Sequence, residues 1–230
     1  MLRDDEVERA LVVTAHPDDV DFGAAGTVAG WVDTGIEVSY CIVTDGDAGG
    51  FDPSLPRDRI APMRRDEQRA AAAVLGVKDV AFLGYADGAL SVSLDLRRDI
   101  AREIRRVRPQ RVLCQSPVRN LARIQASHPD HLAAGESALC AVYPDARNPF
   151  AHPELAADGF EAHTVAEVWI MGGPDPDHAV DVTDRFDRKV AALREHASQL
   201  PGVSDLEGML RGWLGAQAKA AGLPDGGLAE

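Results

Sequence analysis

Two short stretches hold residue types that do chemistry together: Ala15-His16-Pro17-Asp18-Asp19 near the start and His128-Pro129-Asp130-His131 past the middle. Imidazole and carboxylate are good donors for a divalent metal of borderline softness. A carboxylate beside such a metal can also take a proton from water. One of Asp18 and Asp19 therefore suits a ligand and the other a base, and spacing alone does not fix which. Pro17 fixes one φ and stiffens the turn. His128 and His131 are three apart, on one face if the segment is helical. Two histidines and one carboxylate leave positions open for water and substrate, the pattern of a catalytic zinc site. The same set suits non-haem Fe(II), and the ligands alone do not choose. The competing reading of each stretch is structural: a helix start capped by an Asp or by Ser127, with histidines that fill space or face solvent.

These residues need elements to bring them together. Leu11-Val12-Val13-Thr14-Ala15 reads as a buried strand ending at His16. Phe22 to Asp33 follows as a helix stopped by Gly35, and Glu37 to Thr44 as a second strand. A loop over 45–58 carries Gly46, Gly49, Gly50 and Pro53, a length and composition that suggest function. Ile60 to Leu75 is predicted as a helix, Val80 to Leu83 as a strand, Leu94 to Val107 as a helix, and Arg111 to Gln115 as a fourth strand. Alternation of strand and helix predicts an α/β fold with a mostly parallel sheet. Ligands bind outside the carboxyl ends of such strands, where both motifs are delivered. Further on, 116–127 is a loop, His131 to Tyr143 a helix, and 144–159 irregular. Val165 to Met171 and Ala179 to Val182 read as later strands that an α/β sheet can take antiparallel. Asp184 to Gln199 is predicted as a helix, and the tail from about residue 222 to Glu230 as frayed. No repeat or linker divides the chain, so residues 1–230 are expected to form one domain.

The motifs together resemble the signature of the LmbE-like, or PIG-L, de-N-acetylase family. The loop Thr44-Asp45-Gly46-Asp47-Ala48-Gly49-Gly50 resembles its glycine-rich loop. Arg64 and Glu67, with Ala70 to Gly76 after them, resemble its R-x-x-E helix. Asp87-Gly88 resembles its D-G turn, and Thr183, Lys189 and His196-Ala197-Ser198-Gln199 its C-terminal segment. The resemblance implies a Rossmann-like three-layer fold. It implies a hydrolase that uses zinc, or another divalent metal such as Fe2+, to remove an acetyl or related acyl group from the nitrogen of an N-acetylglucosamine-type small molecule. A thiol–sugar conjugate or an acylated natural product is the alternative substrate. Position by position, it implies that His16, Asp19 and His131 bind the metal and that Asp18 is the general base. His128 would stabilise the oxyanion and protonate the departing amine, and Asp130 would orient and charge His128. Arg64, Asp47, Asp87 and Arg119 are candidates for contacting substrate, each with a structural reading as ion pair, turn former or loop residue. His196 is expected to be a packed, hydrogen-bonded helix residue. One departure stands out: some members place an oxyanion-assisting tyrosine two positions before the first histidine of the second motif, and here that position is Ala126.

Composition limits the partners. With 37 acidic against 24 basic residues, the net charge is −13, which repels phosphate backbones and anionic lipids. Neither nucleic acid nor membrane is expected as a partner; a homo-oligomer is compatible with the sequence. The arginines between 97 and 108 are interleaved with Asp99 and Glu103 and read as a solvated helix face. Cys41, Cys114 and Cys140 form no C-x-x-C pair and read as buried thiols of a reducing compartment. The apolar run after the charged N-terminus, Ala10 to Ala15, is too short for a signal peptide, so a cytoplasmic location is expected. A dinucleotide enzyme would want G-x-G-x-x-G where His16 to Asp19 stands. A phosphoesterase would want more carboxylates and a basic clamp. A non-catalytic metal-binding module would not need Asp18, Asp19, His128 and His131 all together.

Overall fold

A computed structural model describes all residues 1–230. Five strands, β1 (Arg9–Thr14), β2 (Glu37–Thr44), β3 (Asp79–Tyr85), β4 (Arg111–Gln115) and β5 (Glu167–Met171), form one sheet in the order β3-β2-β1-β4-β5. Every pairing is parallel, β5 included. A parallel sheet must be covered on both faces, and the period of two in the central strands supplies both coats. Ala10 and Val12 of β1, with Val38, Tyr40 and Ile42 of β2, enter one core with α1 (Asp19–Asp33) and α2 (Arg57–Leu75). Leu11 and Val13, with Cys41 and Val43, enter the other with α3 (Leu94–Val107) and α4 (Pro129–Cys140). The result is three layers. The strand order reverses between β1 and β4, so a crevice opens at their carboxyl ends. No helix is long and apolar enough to cross a membrane.

Several expectations need correcting. α4 starts at Pro129, because His128 Nδ1 caps it by accepting from the Asp130 N–H at 3.2 Å. It ends at Cys140, and Ala141–Ala146 continue as a wider π turn. A short helix, α5 (Pro153–Ala157), lies in the segment expected to be irregular. The stretch 179–182 is not a strand of the sheet; it makes one antiparallel bridge, Asp181 with Ala229. The tail is therefore not frayed: Val180 and Glu230 exchange both main-chain bonds at 2.9 and 3.0 Å, and Leu228 and Ala229 are buried. The predicted helix over 184–199 contracts to α6 (Phe186–Arg194), so His196 follows the helix. A helix absent from the sequence reading, α7 (Leu206–Ala220), packs Leu206, Leu210 and Leu214 against α6 and the tail. The basic run is not simply solvated. Arg105 is buried and donates to five main-chain carbonyls between Asp145 and Phe160. All three cysteines are free, with Cys140 partly exposed.

α1 is two helical pieces joined at Ala24, where φ is −150° and ψ 17°. The break frees main-chain groups inside the protein, and an ion pair takes them up. Lys189 Nζ donates to the carbonyls of Asp21 and Phe22 at 2.9 and 2.7 Å. The Glu230 carboxylate accepts from the N–H groups of Gly26 and Thr27 at 3.0 and 2.7 Å. Lys189 and Glu230 meet at 2.6 Å, both buried. Burying these charges is tolerable only because each is fully hydrogen-bonded.

Candidate metal centre

β1 and β4 are neighbours in register, Val13 beside Cys114. The turn after β1 and the N-terminus of α4 therefore rise side by side from the sheet. His16, Asp19 and His131 converge there. His16 Nδ1 lies 3.4 Å from Asp19 Oδ2 and 3.3 Å from His131 Nε2, and His131 Nε2 lies 3.1 Å from Asp19 Oδ1. Two ligands about 2.1 Å from a tetrahedral zinc stand about 3.4 Å apart, so the three donors fit such an ion. His128 joins the group: its ring centroid is 5.0 Å from that of His16, and the three imidazoles bring ligating atoms within 4.8 Å of one another. His131 turns Nε2 toward Asp19 and His16, so that nitrogen is the one presented to the centre.

Asp18 sits beside this triangle in a left-handed conformation, φ 87°, rare for a residue with a side chain. α2 holds it there through Arg64 and Gln68, one turn apart. Gln68 Oε1 accepts from the Asp18 N–H at 2.8 Å. The buried Arg64 guanidinium donates to Asp18 Oδ2 at 2.9 Å, to the Pro17 carbonyl at 2.6 Å and to the Gly46 carbonyl at 3.1 Å. A Cβ at Gly46 or Gly49 would run into that guanidinium, which accounts for the glycines of this loop. Burial, reinforced by the Asp19 charge and opposed by Arg64, pushes Asp18 up to about 6. Against burial, His131 and His16 hold Asp19 far below the usual carboxylate range. Burial pulls His16 down, but Asp19 and Asp87 outweigh it and raise the ring to about 11. Burial, with the charges of His16 and His131, lowers His128.

The remaining candidates divide. Asp130 was expected to orient His128, yet its carboxylate lies 3.2 Å from His16 Nε2. It also accepts the N–H groups of Gly88 and Leu90 at 2.7 and 3.2 Å. The helix start turns that side chain inward, away from the exposed His128; its charge still favours the protonated form of His128. Asp87 lies 3.0 Å from the same His16 nitrogen and accepts the Ala48 N–H. Asp47 accepts the Asp87 N–H at 3.2 Å and so ties two turns together. Arg119 is exposed, with a 3.4 Å contact to the Ser127 carbonyl; Asn120, buried beside it, folds that loop through Ser127 and the Ala122 and Arg123 N–H groups. Two residues that the sequence reading passed over, Asp21 and Gln68, lie behind Asp18 and join His196, Glu67 and Ser198 there. Asp21 accepts from Gln68 at 2.8 Å and pairs with His196 at 2.9 Å, all buried. Glu67 binds Ser198 through both carboxylate oxygens. The signal was the i,i+4 pair Arg64 and Gln68, and an Asp two residues beyond Asp19 on a buried helix.

The family described as PIG-L, GlcNAc-PI de-N-acetylase, matches residues 11–142. Diacetylchitobiose deacetylase of Thermococcus kodakarensis is 33% identical over 196 residues, covering 85% of this chain and 72% of its own. A probable N-acetyl-alpha-D-glucosaminyl L-malate deacetylase 2 of Bacillus anthracis is 30% identical, covering 82% of this chain and 80% of its own. Among solved structures, N,N'-diacetylchitobiose deacetylase from Pyrococcus horikoshii, complexed with its inhibitor MPG, superposes with a TM-score of 0.89 at 29% identity. That match covers 98% of this chain and 84% of the other.

Proposed function

The chain belongs to the PIG-L family of de-N-acetylases, and from that premise we propose that it is a zinc-dependent hydrolase removing an acetyl or related acyl group from the nitrogen of a small amino sugar of N-acetylglucosamine type. The observation that carries the reading is the triangle of His16, Asp19 and His131, with sides of 3.1–3.4 Å and the Asp18 carboxylate beside it. The two relatives named above both act, by name, on N-acetylated glucosamine compounds. Zinc held by those three residues supplies a Lewis acid that acidifies water and polarises an amide carbonyl.

The chain's own residues do the rest. Asp18, held by Arg64, takes a proton from the attacking water. A carboxyl near pKa 6 is ionised at neutral pH yet competent to hand the proton on to the departing nitrogen. His128 Nδ1 is engaged as an acceptor from the Asp130 N–H, so the neutral ring carries its hydrogen on Nε2. It offers that hydrogen to the carbonyl oxygen as negative charge develops. With Ala126 where some members carry tyrosine, His128 is the side-chain donor for this task. The two duties the resemblance gives His128 are thereby divided, the amine proton coming from Asp18. A phosphoester reading is disfavoured, because the buried Arg64 is engaged by Asp18 and two carbonyls and is not free to clamp a phosphate.

The test is a panel of N-acyl amino sugars and sugar–thiol conjugates, with free amine as the readout and zinc measured on the same preparation. About one zinc per chain and amine release from at least one N-acetylglucosamine compound are expected. Zinc-replete protein releasing amine from none of them would overturn the substrate class.

A further inference from the structure

An imidazole that binds a metal through one nitrogen needs its other nitrogen held. His16 turns Nδ1 toward Asp19 and His131, and Nε2 toward two carboxylates, Asp87 Oδ1 at 3.0 Å and Asp130 Oδ2 at 3.2 Å. Once a cation takes the Nδ1 lone pair, Nε2 is the ring nitrogen left to carry the hydrogen, and ionised carboxylates accept it. Both carboxylates are themselves anchored to main chain. Asp130 receives the N–H groups of Gly88 and Leu90, and Asp87 receives that of Ala48. Three turns, after β2, after β3 and at the start of α4, thus meet on one ring nitrogen. Each oxygen of Asp87 already has a partner, which leaves that residue poorly placed to receive a sugar hydroxyl. Asp130 faces His16 rather than His128.

We infer that Asp87 and Asp130 are paired positioning residues for metal binding: together they fix the His16 tautomer and ring orientation so that Nδ1 is presented to the cation. The inference rests on the metal reading above. Outer partners of this kind typically change metal affinity by about 10–100-fold. The two acceptors share one N–H, so removing either charge loosens the ring and removing both loosens it further.

The experiment measures zinc affinity by competition with a chromophoric chelator for wild type, Asp87→Asn, Asp130→Asn and the double variant. Asparagine keeps a carbonyl for the main-chain donors while removing the charge. Long-range 1H–15N spectra of the histidine rings in zinc-loaded protein give the tautomer directly. Each single variant is expected to lose about 10-fold in affinity and the double variant about 100-fold, with the hydrogen on His16 Nε2 in wild type. Wild-type affinity in Asp87→Asn with a raised KM would make Asp87 a substrate contact and overturn the inference. So would wild-type affinity in Asp130→Asn with a lowered kcat, which would return Asp130 to His128, and so would zinc found on His16 Nε2. Wild-type protein that takes up no zinc would instead overturn the metal reading itself. Circular dichroism on each variant separates lost affinity from lost folding, and a fully folded double variant with unchanged affinity counts against the inference.

Discussion

Asp18 shows how much a single residue is asked to hold. Its φ of 87° costs about 1–3 kcal/mol in a residue with a side chain, and Gln68 and Arg64 over-determine it through the N–H, the carboxylate and the preceding carbonyl. Asp18→Asn should keep wild-type zinc content and lower kcat by about 10²–10⁴-fold. Zinc and turnover measured on one preparation decide it, and loss of metal instead of rate would exchange the roles of Asp18 and Asp19. On the proposed mechanism the same carboxyl should set the acid side of the pH–rate curve. It must be ionised to act as base, so kcat/KM falls as pH drops through its pKa. A cation bound beside it favours the ionised form, which puts the midpoint at or below about 6. Arg64 holds that value down, so Arg64→Gln should move the midpoint upward; a midpoint that stays put would separate Asp18 from the limb.

Among elements, α1 is the one whose integrity the site needs most, since its first turn carries Asp19 and its break is filled from α6 and the tail. Lys189→Met leaves Glu230 charged and buried, with two carbonyls unpaired, and should destabilise the fold by about 3–5 kcal/mol. Adding Glu230→Gln should recover part of that loss, as read from denaturant midpoints. A double variant no better than the sum of two singles would mean the pair is not coupled. None of this was legible in the sequence, because Lys189 and Glu230 reach α1 across more than 160 residues. What was legible was local. β2, α3 and β4 were bounded correctly because their apolar periods and stop signals are unambiguous. Placing both motifs at strand ends was enough to predict their meeting. α7 was missed although Asp205 caps it and leucines recur every four residues from Leu206. The inward turn of Asp130 was also missed, because its partners Gly88 and Leu90 belong to another turn.

At the scale of the whole molecule, the end of the sheet away from the site has its own organisation. Arg111, fully buried, lies between Trp31 and Trp169, with its guanidinium carbon 5.1 and 4.3 Å from their ring centroids. It pairs with Glu167 at 2.6 Å and Asp4 at 2.7 Å. Burial acts to raise the Glu167 pKa, but the Leu2 N–H and Arg111 outweigh it and lower it. A carboxylate with a depressed folded pKa stabilises the protein above its unfolded value, about 4.3, and that contribution is lost as pH falls through the folded value. The stability gap between wild type and Glu167→Gln should thus be full at pH 6 and narrow steadily below about pH 4.3. A gap constant with pH would mean the glutamate acts by shape alone.

The ion pair filling the α1 break also bears on time. Gly26 and its partner Glu230 lie 204 residues apart, so the break in α1 is completed only by a partner far along the chain. β1, β2, β3 and β4 can pair as the chain lengthens, but the break at Ala24 keeps its freed N–H groups open until the tail arrives. Closing so long a loop is slow, because its entropy is lost before the contact rewards it. A nascent chain would then carry the sheet before α1 is complete, and the turn proposed to bind the metal would be settled only once the tail has docked.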